Sequence, residues 1–128
     1  MKFRFTTIYA LAFLVASVPH AGAADKALTG DELKALVSNG KNLILGGKGE
    51  GYSGKLSLNK DGTAKGKATP DGGKAFTIEG TWKIKGDTFC RKWADLDKGK
   101  EVCETWRVKS PTQVEVYVGK SKSGVNSW

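Results

Sequence analysis

The segment FTIEGTWKIK, from Phe76 to Lys85, has the most regular pattern in the chain. Apolar or small residues alternate with polar ones along its whole length: Phe76, Ile78, Gly80, Trp82 and Ile84 against Thr77, Glu79, Thr81, Lys83 and Lys85. This period of two predicts a long β-strand with one face in a core and the other in water. Gly80, at its centre, predicts a bend of the kind that a barrel needs at its corners.

Further short strands are predicted on both sides of this segment. Together the strands cover residues 42–45, 52–58, 63–68, 76–85, 88–93, 101–108 and 113–118. Turn sequences such as Asp61-Gly62 separate them. Consecutive hairpins form an antiparallel meander, and a long meander tends to close because closure leaves no open edge. We therefore predict a mainly β fold, a small antiparallel β-barrel or strongly curved meander of about seven strands, with a loose polar tail from Gly119 apart from Trp128.

One short helix is predicted in front of the strands, over residues 30–38. Thr29 and Glu32 have the spacing of a capping box, in which each side chain accepts a hydrogen bond from the other residue's backbone N–H. Leu33, Leu36 and Val37 then form an apolar stripe at helical spacing, and Gly40 is a favourable left-handed stop. We expect the apolar stripe to cover one end of the barrel.

The first residues of the chain have the features of a secretory signal. Lys2 and Arg4 precede a mostly apolar run over residues 5–18, and Ala21-Gly22-Ala23 is a typical cleavage sequence. We predict a signal peptide over residues 1–23 and a single domain over residues 24–128, with no transmembrane anchor after cleavage. The predicted location is the periplasm or the extracellular medium. Loss of Lys2 and Arg4 lowers the formal net charge from +8 to +6.

The composition of the exported part excludes several kinds of active site. The only histidine, His20, lies in the predicted signal, so neither a serine or cysteine nucleophile paired with histidine nor a histidine zinc site can form. Cys90 and Cys103 are the only cysteines, and in an oxidising compartment this even count predicts a structural disulfide. No cofactor or metal is expected, and we predict that the protein is not an enzyme.

Carboxylates leave one further alternative. Glu79 and Glu104, each within a predicted strand, are candidates for a hydrolase that uses carboxylates only. The acidic residues near Gly99 resemble a calcium loop only superficially, because Lys98 occupies the third oxygen position. The segment over residues 94–100 is predicted to be a polar hairpin tip.

The lysines of the predicted strands suggest a basic surface. Lys65, Lys67, Lys83 and Lys85 all occupy positions that face away from the core. Such a surface attracts anions, and a solvated face that protects residues 63–68 as an edge strand is the alternative. Nucleic acid is an unlikely partner, because the predicted compartment holds little of it and the chain lacks an RNA-binding signature of aromatic and basic residues.

The aromatic residues suggest a ligand mouth. Trp82 is predicted to lie in the core, whereas Trp93 and Trp106, together with Tyr52 or Tyr117, are candidates to line an opening into the barrel. Small barrels are either filled by side chains or hold one small apolar ligand, and the pattern leaves both open.

The order of the motifs resembles that of a known group of proteins. The chain has the capped helix over residues 28–40, then GTWKIKGD over residues 80–87, followed by Cys90, Cys103 and Trp106. This is similar to an uncharacterised family of small secreted proteobacterial proteins with an N-terminal helix and the pattern G-T-W-x-I-x-G-D…C…C…W. The resemblance implies a periplasmic, lipocalin-like or barrel-like domain, and it supplies no catalytic residue.

These observations favour a binding function. We expect a non-enzymatic periplasmic or secreted binding or envelope-maintenance protein, whose basic surface or barrel mouth contacts an anionic or amphipathic envelope component or a small apolar ligand. The alternative is a protein partner, with the chain acting as an inhibitor of an exported enzyme and presenting the rigid loop over residues 94–100.

Overall fold

The computed structural model describes residues 26–128, so the predicted signal lies outside the described residues. The bounds are α1 Gly30–Val37, β1 Lys41–Gly47, β2 Tyr52–Leu58, β3 Thr63–Pro70, β4 Phe76–Lys85, β5 Thr88–Trp93, β6 Glu101–Ser110, β7 Gln113–Val118 and β8 Ser121–Ser127. Each strand pairs antiparallel with the next, and β8 returns to pair with β1, so the sheet closes into an eight-stranded barrel. The predicted antiparallel barrel is confirmed.

The eighth strand corrects the prediction that the tail is loose. Residues 121–127 pair with β7, with one register shift that leaves Ser123 unpaired, and they pair with β1 at Leu45 and Ile44. Ser123, Gly124 and Asn126 are the residues of β8 that line the interior cavity, and none of them is a large apolar residue. The usual alternation of apolar and polar residues is therefore absent from this strand.

Closure also corrects the role predicted for the lysines of β3. This strand pairs with β2 on one side and β4 on the other, so it is not an edge strand. Lys65 and Lys67 therefore do not protect an open edge.

The helix forms and packs as its sequence predicts, except that it ends one residue earlier. The amide of Glu32 donates to Thr29 Oγ1 over 3.2 Å, the amide of Thr29 donates to Glu32 Oε1 over 3.2 Å, and both halves of the capping box are present. Leu33 and Val37 are fully buried, so the apolar stripe packs against the core.

A hydrogen bond fixes α1 to the end of the barrel that the helix covers. The Gly30 amide donates to Asp87 Oδ1 over 2.7 Å, and Asp87 lies in the turn between β4 and β5. A Cβ at Gly30 would collide with the Gly86 carbonyl, so the helix can approach this turn only because residue 30 is glycine.

The two faces of the barrel wall follow the alternation seen in the sequence. On β4, Ile78 is buried and Trp82 is half-buried, whereas Thr77, Glu79 and Thr81 are exposed. Loops over residues 48–51, 71–75, 94–100 and 119–120 gather at the end opposite α1, which we call the mouth.

Cys90 and Cys103 are joined by a disulfide, with an S–S distance of 2.10 Å. They lie directly opposite each other on β5 and β6, so the bond connects neighbouring strands. The predicted disulfide is confirmed.

Among the described residues, no helix has the length and apolar character that crossing a membrane requires.

Candidate ligand cavity and outer groove

The barrel interior contains a cavity of about 200 Å³ at the mouth side of the core. Its walls are mainly apolar and are formed by side chains from most of the strands: Leu43, Leu45, Leu56, Ala68, Phe76, Ile78, Phe89, Trp93, Leu96, Trp106 and Val116. Polar side chains of Tyr52, Arg91, Glu104, Ser123 and Asn126 complete the lining. The interior is therefore only partly filled, and the space that remains combines apolar walls with a few polar groups.

A hydrogen-bonded cluster of charged groups lies in this cavity. Arg91 Nε donates to Glu104 Oε2 over 2.7 Å, and Trp106 Nε1 donates to Glu104 Oε1 over 3.1 Å. Arg91 Nη1 also donates to Asp97 Oδ2 over 2.7 Å. Both oxygens of Glu104 are thus engaged, as a carboxylate removed from water requires.

The strand pattern explains why these groups meet. Phe89, Arg91 and Trp93 alternate on the inner face of β5, and Glu104 and Trp106 alternate on the inner face of β6. The register sets Phe89 opposite Glu104, which brings Arg91 to the adjacent inward position. Inward positions of a strand are ordinarily apolar, so the two charges occupy these positions as a pair.

Burial controls the electrostatics of the pair. It raises the pKa of the Glu104 carboxyl, although the Arg91 charge and the hydrogen bonds from Arg91 and Trp106 act in the opposite direction. Burial also acts against the Arg91 charge, but the Glu104 and Asp97 carboxylates outweigh it and raise the pKa of Arg91. Arg91 therefore stays charged, while Glu104 is easier to protonate than an ordinary carboxyl.

Several polar groups in the cavity keep unused hydrogen-bonding capacity. Tyr52 Oη accepts from the Val125 amide over 3.0 Å, and the hydroxyl still has its own proton to donate. Burial raises the pKa of Tyr52, so the phenol remains neutral. Arg91 Nη2 and the side-chain amide group of Asn126 make no hydrogen bond to another side chain or to the backbone among residues 26–128.

The loop between β5 and β6 lies over the mouth and is anchored to the cavity. Leu96 contributes to the cavity wall, and the next residue, Asp97, is bonded to Arg91. Asp97 and Lys98 have positive φ values of 53° and 56°, a left-handed conformation that is uncommon for residues other than glycine. The ion pair with Arg91 thus fixes a loop whose backbone is locally strained.

The structure brings three of the residues predicted for the ligand mouth together. Tyr52, Trp93 and Trp106 all line the cavity, with Trp93 and Trp106 buried. They lie deeper than a mouth, since Trp106 is fully buried and stacks on Phe89 with ring centroids 4.7 Å apart.

The predicted lysines lie on the outer wall and do not form one site. Lys83 and Lys85 both form ion pairs with Glu101. Lys65 and Lys67 instead line an outer groove across β2, β3 and β4. The basic surface therefore consists of two separate parts, and only the lysines of β4 are ion-paired, both with Glu101.

The carboxylates considered for hydrolysis do not converge. Glu79 is exposed on the outer wall, whereas Glu104 is buried inside the barrel. Two of the acidic residues near Gly99 also have separate partners, because Asp97 binds Arg91 and Glu101 binds the two lysines of β4.

Among the described residues, one group of side chains is close enough together to hold a metal ion: Cys90, Cys103 and Glu101, on the outer wall. Its two sulfurs are joined in the disulfide, so they are not available as thiolate ligands.

Among the polar residues of the cavity, Arg91, Ser123 and Asn126 are not predicted from the sequence, and Glu104 is predicted only as a candidate for catalysis. A signal for Arg91 was present, since it lies between Phe89 and Trp93 in an inward alternation. Pairing Cys90 directly with Cys103 would also have placed Phe89 opposite Glu104.

No protein-family model, curated protein or solved structure matches this chain.

Proposed function

We propose that this protein is a non-enzymatic binding protein of the periplasm or the extracellular medium, which holds one small amphipathic molecule inside the barrel. The observation that carries the proposal is the cavity of about 200 Å³, whose apolar walls converge on polar groups with unused hydrogen bonds. Ligand sites generally combine a predominantly apolar wall with a few placed polar groups. The disulfide is compatible with an oxidising compartment.

The size of the cavity restricts the ligand. An apolar cavity of roughly 150 Å³ in a protein core is large enough to bind benzene, so this one accommodates a single ring or a short branched chain. Larger amphiphiles, such as a complete fatty acid, exceed its volume. The ligand is therefore small, unlike the extended ligands of larger barrels.

The lining also indicates the polarity of the ligand. Leu45, Leu56 and Ile78 would contact its apolar body. Its polar group would accept hydrogen bonds from Arg91 Nη2 and the Tyr52 hydroxyl, because both are donors. A carbonyl, hydroxyl or carboxylate group fits these requirements.

Binding is favoured over catalysis by the arrangement of Glu104. Both of its oxygens are occupied by Arg91 and Trp106, and the other candidate carboxylate lies outside the barrel. A general acid or base needs a proton-transfer atom within reach of the substrate.

The test is a titration with benzyl alcohol, followed by NMR through the indole N–H signals of Trp93 and Trp106. Saturable shifts of these two signals are expected, whereas those of Trp82 and Trp128 should change little because both indoles lie outside the cavity lining. A naphthalene sulfonate dye, which is too large for the cavity, should cause no such shifts.

A cavity-filling variant supplies the control. Ala68 is buried and lines the cavity, so Ala68→Leu would occupy the space and abolish binding. Ala35→Leu makes the same chemical change on the exposed side of α1 and should bind as the wild type does. Unchanged binding by folded Ala68→Leu protein would refute the proposed site.

A further inference from the structure

The outer wall carries a groove of about 760 Å³ across β2, β3 and β4. It contains three lysines and four hydroxyl side chains: Lys55, Lys65, Lys67, Ser53, Ser57, Thr69 and Thr77. Glu79 is the one acidic residue in its lining. The groove is therefore rich in cationic and hydrogen-bonding groups.

Two glycines allow the strands to come together beneath the groove. A Cβ at Gly54 would collide with the Lys67 carbonyl, and a Cβ at Gly66 would collide with the Lys55 carbonyl. Glycine inside a strand commonly marks a bend or a close approach of backbone. The backbones of β2 and β3 therefore approach each other closely at this point, and the lysines flank a concave surface.

The lysines of the groove have no ion-pair partner among the described residues. Lys55 lies directly opposite Lys67 in the register, and like charges at such positions destabilise a sheet. Lys65 lies opposite Glu79, but no ion pair within 4.0 Å joins them. By contrast, Lys83 and Lys85 on the neighbouring wall both have Glu101 as a partner.

An apolar patch adjoins the basic groove. Ile44 lies opposite Lys55 on β1, and its side chain is 49% exposed. Trp128 lies beside Ile44, and Lys41 Nζ lies 5.5 Å from the centre of its ring. Trp128 is only half-buried, although part of its ring packs against the core. Cationic groups next to an exposed isoleucine and a half-buried tryptophan are the combination found on proteins that bind the interface of anionic membranes.

We propose that this groove docks the protein onto an anionic lipid surface. Lys55, Lys65 and Lys67 would contact lipid phosphates, and Ile44, with the exposed edge of Trp128, would enter the interfacial layer. The phosphate charge would relieve the repulsion between Lys55 and Lys67. This surface is on the outside of the barrel and does not depend on the proposed cavity ligand.

The test measures co-sedimentation with phosphatidylcholine vesicles that contain phosphatidylglycerol, compared with vesicles of phosphatidylcholine alone. The triple variant Lys55→Gln/Lys65→Gln/Lys67→Gln should bind the anionic vesicles roughly 100-fold more weakly than the wild type, at about fivefold per lysine. All three side chains are exposed, so the variant is expected to fold.

The matched control is Lys34→Gln/Lys92→Gln/Lys109→Gln, which removes the same charge from exposed positions on α1, β5 and β6. It should lose less than tenfold in vesicle affinity, because its lysines lie away from the groove. Equal losses in both triple variants would mean that net charge alone causes binding, and would overturn the proposal.

Soluble ligands distinguish the other possible occupants. Inorganic phosphate and heparin should bind the wild type more weakly than the anionic vesicles do. If either binds through the three lysines while vesicles do not, the groove serves a soluble phosphorylated ligand or an acidic polysaccharide, and the lipid proposal is wrong. Variant Ile44→Ser should weaken binding to vesicles but not to inorganic phosphate.

Discussion

Replacing Arg91 by methionine should destabilise the protein strongly at neutral pH. Methionine keeps much of the length of the arginine side chain but removes the two hydrogen bonds to Glu104 and Asp97. Glu104 would then remain buried, with only the Trp106 indole as a partner. A charge left unpaired inside a protein is costly because no water replaces the lost partner.

The expected magnitude follows from the burial of the pair. Breaking a buried ion pair by removing one partner typically costs about 3–5 kcal/mol. The Arg91 and Glu104 side chains are 15% and 8% exposed, so some solvation remains and the lower end applies. A loss of about 3 kcal/mol corresponds to a fall in Tm of roughly 12–20 °C for a domain of this size.

A double-mutant cycle isolates the interaction. In Arg91→Met/Glu104→Gln neither charge remains, and the glutamine oxygen can still accept from the Trp106 indole. The double variant should therefore be more stable than Arg91→Met alone, with a coupling free energy of about 2 kcal/mol. Urea denaturation of the four proteins measures this quantity.

The cost of Arg91→Met should also shrink as the pH falls. The pKa of Glu104 is raised by burial, so its contribution to stability is fully present below the ordinary pKa of 4.5 and is lost as the pH rises through the folded-state pKa. Without the Arg91 charge this pKa rises further, and protonation removes the unpaired charge at mildly acidic pH. A loss below about 1 kcal/mol that is independent of pH would refute a buried, coupled pair.

Three other perturbations test the parts of the structure around the cavity. Gly124→Ala would place a methyl group against Tyr52 Oη and disturb its bond to the Val125 amide. We expect a loss of about 1–3 kcal/mol in urea denaturation, reduced when Tyr52→Phe is also present. Replacing both Cys90 and Cys103 by alanine should lower the unfolding free energy by about 3 kcal/mol, and the Tm of the wild type should fall comparably on reduction. Asp97→Asn should release the loop at the mouth, which would speed hydrogen exchange at Gly99 and Lys100 while changing global stability by less than about 1 kcal/mol.

The features that sequence predicted well are those in which the determining residues are close together in the chain. The capping box needs only Thr29 and Glu32, which are one helical turn apart, so the helix start is a local property. The alternation of β4 is likewise complete within the segment itself. The inward orientation of Tyr52, Trp93 and Trp106 could be predicted for the same reason, because the alternation of each strand is local.

The eighth strand was missed because its partners, rather than its composition, determine it. The inward positions Gly124 and Asn126 are small or polar, since Tyr52 and the cavity occupy the space that large side chains would otherwise fill. Pairing with β7 and β1 supplies the order of this strand, and β1 lies some 80 residues earlier in the chain.

The outer groove depends on the register between β2 and β3, which the turn sequence Asp61-Gly62 does not determine. A tight two-residue turn at Asp61-Gly62 would set Lys55 opposite Ala68. In the structure Leu58 pairs with Ala64, so Lys55 lies opposite Lys67. A shift of one residue changes every cross-strand neighbour, and the like-charge pair becomes visible only when the register is known.

The cavity and the groove share β2 and β3 but use opposite sides of the wall. Leu56 and Ala68 face the cavity, whereas their neighbours Lys55 and Lys67 face the groove. Because strand alternation separates the two sets of side chains, the lysine substitutions should leave benzyl alcohol affinity unchanged within about twofold, and Ala68→Leu should leave vesicle affinity unchanged within the same limit. Calorimetric titration of each variant with each ligand gives both values. A change above fivefold in either cross-measurement would show that the wall transmits strain between its faces, and the two sites would then have to be treated as one.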